Sequence, residues 1–61
     1  MGFSIRRIDK SKNHAELDEI HEDYHNGDCI ILKSFDGIEN ISENLSYLAI
    51  DFLDHVVLIF P

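Results

Sequence analysis

Apolar residues occur along the chain in short runs separated by polar connectors, and the spacing within each run predicts its secondary structure. Residues 3–8 alternate, with Ile5 and Arg6 on opposite faces, which predicts a half-exposed strand. The runs at 28–34 and 56–60 are apolar at consecutive positions. Consecutive apolar positions are typical of strands that are covered on both faces. The chain is therefore expected to contain three strands.

A first helix is predicted between the first two strands. Asn13 is a suitable N-cap, because Glu16 stands three residues later and can reach back to the backbone of Asn13. The helix would run to about His25, and Asn26-Gly27 supplies a stop signal. Its apolar stripe is thin, so most of its surface is expected to be charged.

A second helix is predicted between the last two strands. Asn40 and Glu43 repeat the capping pattern, and Leu45, Leu48 and Phe52 then fall on one helical face. A strand over residues 48–50 is the competing interpretation, but helical spacing matches more positions.

These elements predict one α/β domain over residues 1–61, in the order β-α-β-α-β. Right-handed crossovers would give a three-stranded, mainly parallel sheet with two helices. The connector before the last strand is short, so an antiparallel last strand is the alternative. No apolar segment is long enough to span a bilayer. The single cysteine, Cys29, lies in an apolar run and fits a core position in a reducing compartment, which makes the protein cytoplasmic by expectation.

The net charge of the chain limits the classes of partner that it could bind. The chain has 12 acidic residues against 5 Lys and Arg, giving a net charge of −7. This balance disfavours direct binding to nucleic acids or anionic membranes, because both require cationic side chains at phosphates. It favours a protein partner with a basic surface. A chain of this length has few residues with which to line a catalytic pocket, so a binding module is preferred to an enzyme.

Two groups of residues are candidates for partner binding. One group is the carboxylates of the first helix. The other is Tyr47 and Ile50, which lie opposite the apolar stripe of the predicted second helix and would be exposed to solvent in a monomer. The two doubly apolar strands also need more cover than a thinly apolar helix provides, which predicts a homodimer. The candidate partner-binding residues are Glu16, Glu19, Glu22, Asp23, Tyr47 and Ile50.

The segment from His21 to His25 fits the spacing H-E-x-x-H, in which two histidines four apart on a helix bind zinc and Glu22 acts as general base. The spacing makes His21 and His25 candidate metal ligands, although the second histidine falls at the predicted helix end. The candidate third ligands have no recognisable spacing; they are Glu39, Glu43 and His55. No nucleophile motif or phosphate-binding glycine loop is visible, and no cofactor is predicted.

The sequence therefore predicts a small acidic protein-binding module, an inhibitor or regulator of the kind carried by phages and mobile elements. One alternative is a nucleic-acid mimic that blocks a DNA- or RNA-binding enzyme with the carboxylates of its first helix. A second is a zinc-dependent hydrolase built on His21, Glu22 and His25.

Overall fold

Four strands and one helix make up the part of the chain that the computed structural model describes, which is residues 2, 4–36 and 45–61. The four strands form one sheet in the order β1-β4-β3-β2. β4 lies between β1 and β3 and is antiparallel to both, whereas β2 is parallel to β3. The elements are β1 (Ser4–Asp9), α1 (His14–His25), β2 (Cys29–Leu32), β3 (Tyr47–Phe52) and β4 (His55–Phe60).

This arrangement corrects the fold predicted from the sequence. The order β-α-β-α-β, with a three-stranded, mainly parallel sheet and two helices, is wrong. Within the described ranges the order is β-α-β-β-β, and the sheet is four-stranded, mixed and mostly antiparallel. The first helix and the three predicted strands are present, but the segment 47–52 is a strand. The predicted cap at Asn40 and Glu43 lies outside the described residues.

The segment from Tyr47 to Ile50 forms a strand because each of its side chains meets apolar neighbours on one side of the sheet or the other. Side chains alternate between the faces of a strand, so Tyr47 and Ala49 pack in the cluster that includes α1. Leu48 and Ile50 pack on the opposite face. Leu48, Ala49 and Ile50 have no exposed surface. A helix buries one stripe only, so pairing with β2 and β4 outweighs the helical spacing. Tyr47 and Ile50 thus lie on opposite faces of a strand.

The helix α1 ends where the sequence predicts, but its start differs from the predicted capping box. Gly27 adopts φ 81°, and its N–H donates to the carbonyl of Tyr24 at 3.1 Å, which closes the last turn in the left-handed conformation that glycine tolerates best. At the other end Asn13 makes no side-chain cap, and its amide donates to the carbonyl of Asp9 at 3.1 Å instead. None of the helices in the described ranges is long and apolar enough to cross a membrane.

The two faces of the sheet are covered to different extents. On one face α1 contributes Ile20 to a buried cluster with side chains from all four strands, including Ile8 and Leu58. On the other face Leu48 and Ile50 pack with Ile59. The register places Ile5 on this second face, beside Ile59, and Ile5 remains 69% exposed. In β1 the side chain that reaches the core is Ile8. Arg6 is two residues away and shares its face, so Arg6 lies on the face of the sheet that α1 covers.

Candidate functional site: an acidic groove beside the helix

A groove runs along one side of α1, between the helix and strands β1 and β4. The helix supplies Glu16, Glu19 and Asp23 to its wall, at positions three and four residues apart that share one side of a helix. Arg6 and Tyr47 complete the polar lining from β1 and β3. The cavity encloses about 150 Å³. We call this the acidic groove, and its apolar floor is formed by Ile8, Ile20, Leu58 and Phe60.

The strand register explains why polar and apolar groups meet in the acidic groove. Arg6 lies opposite Leu58, so the guanidinium stands at the sheet margin next to an apolar neighbour. From there Arg6 Nη2 reaches Glu16 Oε1 at 2.8 Å, and both side chains stay partly exposed. Exposed pairs of this kind contribute about 0–1 kcal/mol to stability. The pair therefore orients the groove wall more than it stabilises the fold.

A second polar contact closes the inner end of the groove. Tyr47 Oη donates a hydrogen bond to Asp23 Oδ2 at 2.5 Å and so joins β3 to the last turns of α1. Burial, followed by the contacts with Asp23 and Cys29, holds the pKa of Tyr47 well above its ordinary value. The hydroxyl therefore remains protonated and donates at any physiological pH. The rings of Tyr47 and Phe60 lie 5.3 Å apart, which makes this end of the floor aromatic.

The balance of charge in the acidic groove is negative. Three carboxylates face one guanidinium, and the guanidinium is already paired with Glu16. Glu19 and the Asp23 oxygen that does not accept from Tyr47 are left as the acidic groups available to a ligand. Carboxylates above an aromatic and aliphatic floor suit a cation with an apolar stem, because the head can pair with oxygen while the stem covers carbon.

A second groove lies on the other side of α1. It encloses about 180 Å³ and is lined mainly by aliphatic side chains, with Ala49 at its floor. Its polar groups are His21 and the ion pair between Lys10 Nζ and an Asp51 carboxylate oxygen. We call this the apolar groove, and its aliphatic lining is Leu17, Ile20, Ile31, Ala49 and Val56.

The structure brings four of the six predicted partner-binding residues to one place. Glu16, Glu19, Asp23 and Tyr47 all line the acidic groove. Glu22 is exposed on α1 outside that lining, and Ile50 is buried on the opposite face of the sheet. The sequence reasoning missed Arg6 and Phe60, whose positions depend on the pairing of the two chain ends. The alternating pattern of residues 3–8 places Arg6 on the face opposite Ile5. It does not indicate which residue Arg6 contacts.

The two candidate metal ligands, His21 and His25, stand one turn apart on α1 and have different surroundings. His21 lines the apolar groove, whereas His25 is the exposed last residue of α1, and its ring lies 6.0 Å from that of Tyr24. Within residues 4–36 and 45–61, no three side chains of the types His, Cys, Asp and Glu form a group that could hold a metal ion. Of the other residues considered as a third ligand, Glu39 and Glu43 lie outside the described residues.

The buried thiol of Cys29 lies beneath α1, near the acidic groove. Cys29 is 2% exposed, and its Sγ donates to the carbonyl of Ile20 at 3.8 Å. Burial raises the pKa of the Cys29 thiol, so the thiolate needed for nucleophilic or redox chemistry is disfavoured. Cys29 therefore contributes to packing beneath α1, as its apolar sequence context indicated.

Comparison with known proteins gives no match: the chain matches no protein family model, no curated protein and no solved structure.

Proposed function

We propose that the protein is a small protein-binding module, an inhibitor or regulator, whose acidic groove takes a lysine or arginine side chain of its partner. The observation that carries this proposal is the convergence of Glu16, Glu19, Asp23 and Tyr47 on one groove with an apolar floor. The net charge of −7 favours the same class of partner, because it attracts a basic surface over long range.

The size of the acidic groove supports a side chain as its ligand. Sites for drug-sized molecules enclose about 300–1,000 Å³, and this cavity is about 150 Å³. One long side chain is therefore a better match than a cofactor or a metabolite. The aromatic rings of Tyr47 and Phe60 add a favourable surface for a cation that passes over them.

Arginine and lysine would use the groove differently. The planar guanidinium can pair with two carboxylate oxygens at once, and it stacks on aromatic rings. Glu19 and Asp23 stand four residues apart on the same side of α1, so both can approach one cationic head. Arginine is therefore the preferred ligand of the two.

The proposal is tested by titration of the ¹⁵N-labelled protein with short blocked peptides that have arginine, lysine or alanine at their centre. We expect shifts at the amides of α1 and β4 beside the groove, larger for arginine than for lysine and absent for alanine. A single side chain should bind weakly, with a dissociation constant on the order of 1 mM.

A matched pair of variants separates the groove from general charge attraction. Glu19→Gln removes a groove carboxylate, and Glu22→Gln removes one charge from the same helix outside the groove lining. We expect Glu19→Gln to weaken arginine binding up to about fivefold and Glu22→Gln to leave it nearly unchanged. Equal losses in both variants, with binding that fades steeply as salt is added, would instead indicate diffuse recognition, as in nucleic-acid mimicry, and would overturn the groove as the site.

A further inference from the structure

The two outer strands of the sheet differ in how they are protected against pairing with another chain. β1 and β2 are the edge strands, and within residues 4–36 and 45–61 neither has a second neighbour. β1 carries Arg6 and Arg7 at its centre. β2 has the sequence Cys-Ile-Ile-Leu, without charge or proline, and three of its four side chains are only partly buried. Proteins commonly protect sheet edges with charge, proline or a bulge, and an apolar edge without these is a template for strand addition.

We propose that β2 pairs with the β2 strand of a second copy, antiparallel across a two-fold axis, so that the two sheets join into one. The homodimer predicted from the sequence rests on uncovered apolar area on the sheet faces. The centre of β3 is fully covered on both faces, so that reason does not apply there. The open edge of β2 favours a dimer without those faces, and pairing there is independent of the proposed function of the acidic groove.

Symmetry fixes which residues can meet. A two-fold axis that joins antiparallel strands in one sheet is perpendicular to the sheet, so paired residues must point to the same face. Centred on β2, this condition allows two registers: Ile31 opposite Ile31 with Ile30 opposite Leu32, or Ile30 opposite Ile30 with Cys29 opposite Ile31. Aliphatic cross-strand pairs of this kind are stabilising.

Charge complementarity favours a second copy at β2 and disfavours one at β1. Asp28 precedes the strand and Lys33 follows it, so antiparallel pairing brings the acidic end of one strand beside the basic end of the other. The same symmetry centred on β1 places Arg6 opposite Arg6, or Arg7 opposite Arg7, and like charges directly opposite are destabilising.

The position of β2 also connects the dimer to the apolar groove. Ile31 lines that groove, so Ile31 of the second copy would extend its aliphatic floor across the two-fold axis. The acidic groove lies on the same face of the sheet but towards its opposite edge, against β1 and β4, and would stay open in each copy.

Sedimentation velocity over a range of micromolar concentrations, at low and high salt, tests this inference. We expect a monomer–dimer equilibrium that strengthens with salt, because screening the repulsion between two copies of charge −7 outweighs the loss of the exposed Asp28–Lys33 attraction, and β2 itself is apolar. This salt dependence is opposite to the one expected for cation binding in the acidic groove, so the two proposals can fail separately. A protein that stays monomeric at the highest concentration and salt would overturn the dimer.

Two variants locate the interface. Ile31→Lys places two like charges at or beside the two-fold axis in either register and should weaken association about tenfold or more. Ile5→Lys makes the same change on the outer strand β1 and should leave association unchanged. If Ile5→Lys abolishes the dimer and Ile31→Lys does not, the interface is at β1 and the proposal is wrong.

Hydrogen exchange of the wild-type protein keeps the test valid if Ile31→Lys does not fold. Amide protection across residues 29–33 should rise with protein concentration, while protection in β1 should not. Protection that rises in β1 alone, or at neither edge, would contradict pairing through β2.

Discussion

The two grooves that flank α1 share a helix and a sheet but differ in chemistry. The acidic groove has three carboxylates, one guanidinium and two aromatic rings, whereas the apolar groove is aliphatic and has a single ion pair at its rim. The difference comes from the helix, which supplies Glu16, Glu19 and Asp23 to one side and Leu17 and His21 to the other. One helix can therefore give two neighbouring sites of different character when its polar positions fall on one side of its apolar stripe.

The residue that keeps the two grooves apart is Ile20, which lines both. Ile20→Ala should have the largest effect of the changes considered, because it removes a 6%-exposed side chain and merges the two cavities. We expect a loss of about 2–5 kcal/mol in the free energy of unfolding. A core of this size rarely supplies more than about 3–5 kcal/mol in total, so much of the variant should be unfolded in water. Urea denaturation followed by circular dichroism measures the change.

Leu17→Ala is the control for that prediction. Leu17 is only partly buried and lines the apolar groove alone. Its truncation should cost clearly less than that of Ile20. An equal or larger loss would mean that Ile20 is not the main contact between helix and sheet.

A smaller effect is expected from Tyr47→Phe, which alters the acidic groove and leaves the apolar groove intact. The change removes the hydroxyl that donates to Asp23 and leaves a partly buried carboxylate without that donor. We expect a loss of about 1–2 kcal/mol in the free energy of unfolding. Thermal or urea denaturation at neutral pH is the measurement.

Tyr24→Phe removes a hydroxyl from the exposed tyrosine of α1 and serves as the matched control. Its unfolding free energy should stay within about 0.5 kcal/mol of the wild type. If the two variants lose equal stability, the hydrogen bond between Tyr47 and Asp23 does not join the helix to β3 in the way described.

The smallest effect on stability is expected in the turn after β1, which places Lys10 at the rim of the apolar groove. Asp9 accepts hydrogen bonds from the hydroxyl and the backbone N–H of Ser11, at 2.7 and 2.9 Å. These bonds, the one from the hydroxyl first, hold the pKa of Asp9 below its ordinary value of 3.8. A lowered pKa stabilises the folded state at pH values above the ordinary value, and this stabilisation is lost as the pH falls through the folded-state pKa. Asp9→Asn should therefore be less stable than the wild type at neutral pH and converge with it in acid.

Unfolding midpoints measured from neutral pH to about pH 2 would show this convergence. Asp36→Asn is the control, because Asp36 is exposed and its side chain accepts no hydrogen bond within the described part of the chain. A gap between Asp9→Asn and the wild type that stays constant with pH would contradict the role given to the carboxylate.

Part of the fold could be predicted from local sequence alone. α1 was identified by its spacing and by Gly27, because helix ends depend on residues close in the chain. For the segment 47–52 the sequence favours a helix over the competing strand, and this preference is wrong because the strand depends on partners far away in the chain. Leu48 fits a helical stripe. Only pairing with β2 on one side and β4 on the other makes a strand, which also buries Ala49 and Ile50, more stable than a helix.

The candidate site shows the same division. The spacing of carboxylates on α1 was visible in the sequence, so Glu16, Glu19 and Asp23 were identified before their surroundings were known. Arg6 and Phe60 belong to strands from opposite ends of the chain, and no local pattern brings them beside the helix. Ile50 was selected on the premise of a second helix, and that premise is wrong.

The position of β4 has a consequence for the route by which the chain folds. β3 and β4 are joined by the two-residue turn Leu53-Asp54, so this hairpin requires little loss of chain entropy. β1 must instead come from the far end of the described chain to pair Ser4 with Phe60, and that long closure is repaid only when most of the sheet already exists. We therefore expect the hairpin to form the folding nucleus, and β1, which bears Arg6 and completes the acidic groove, to pair last.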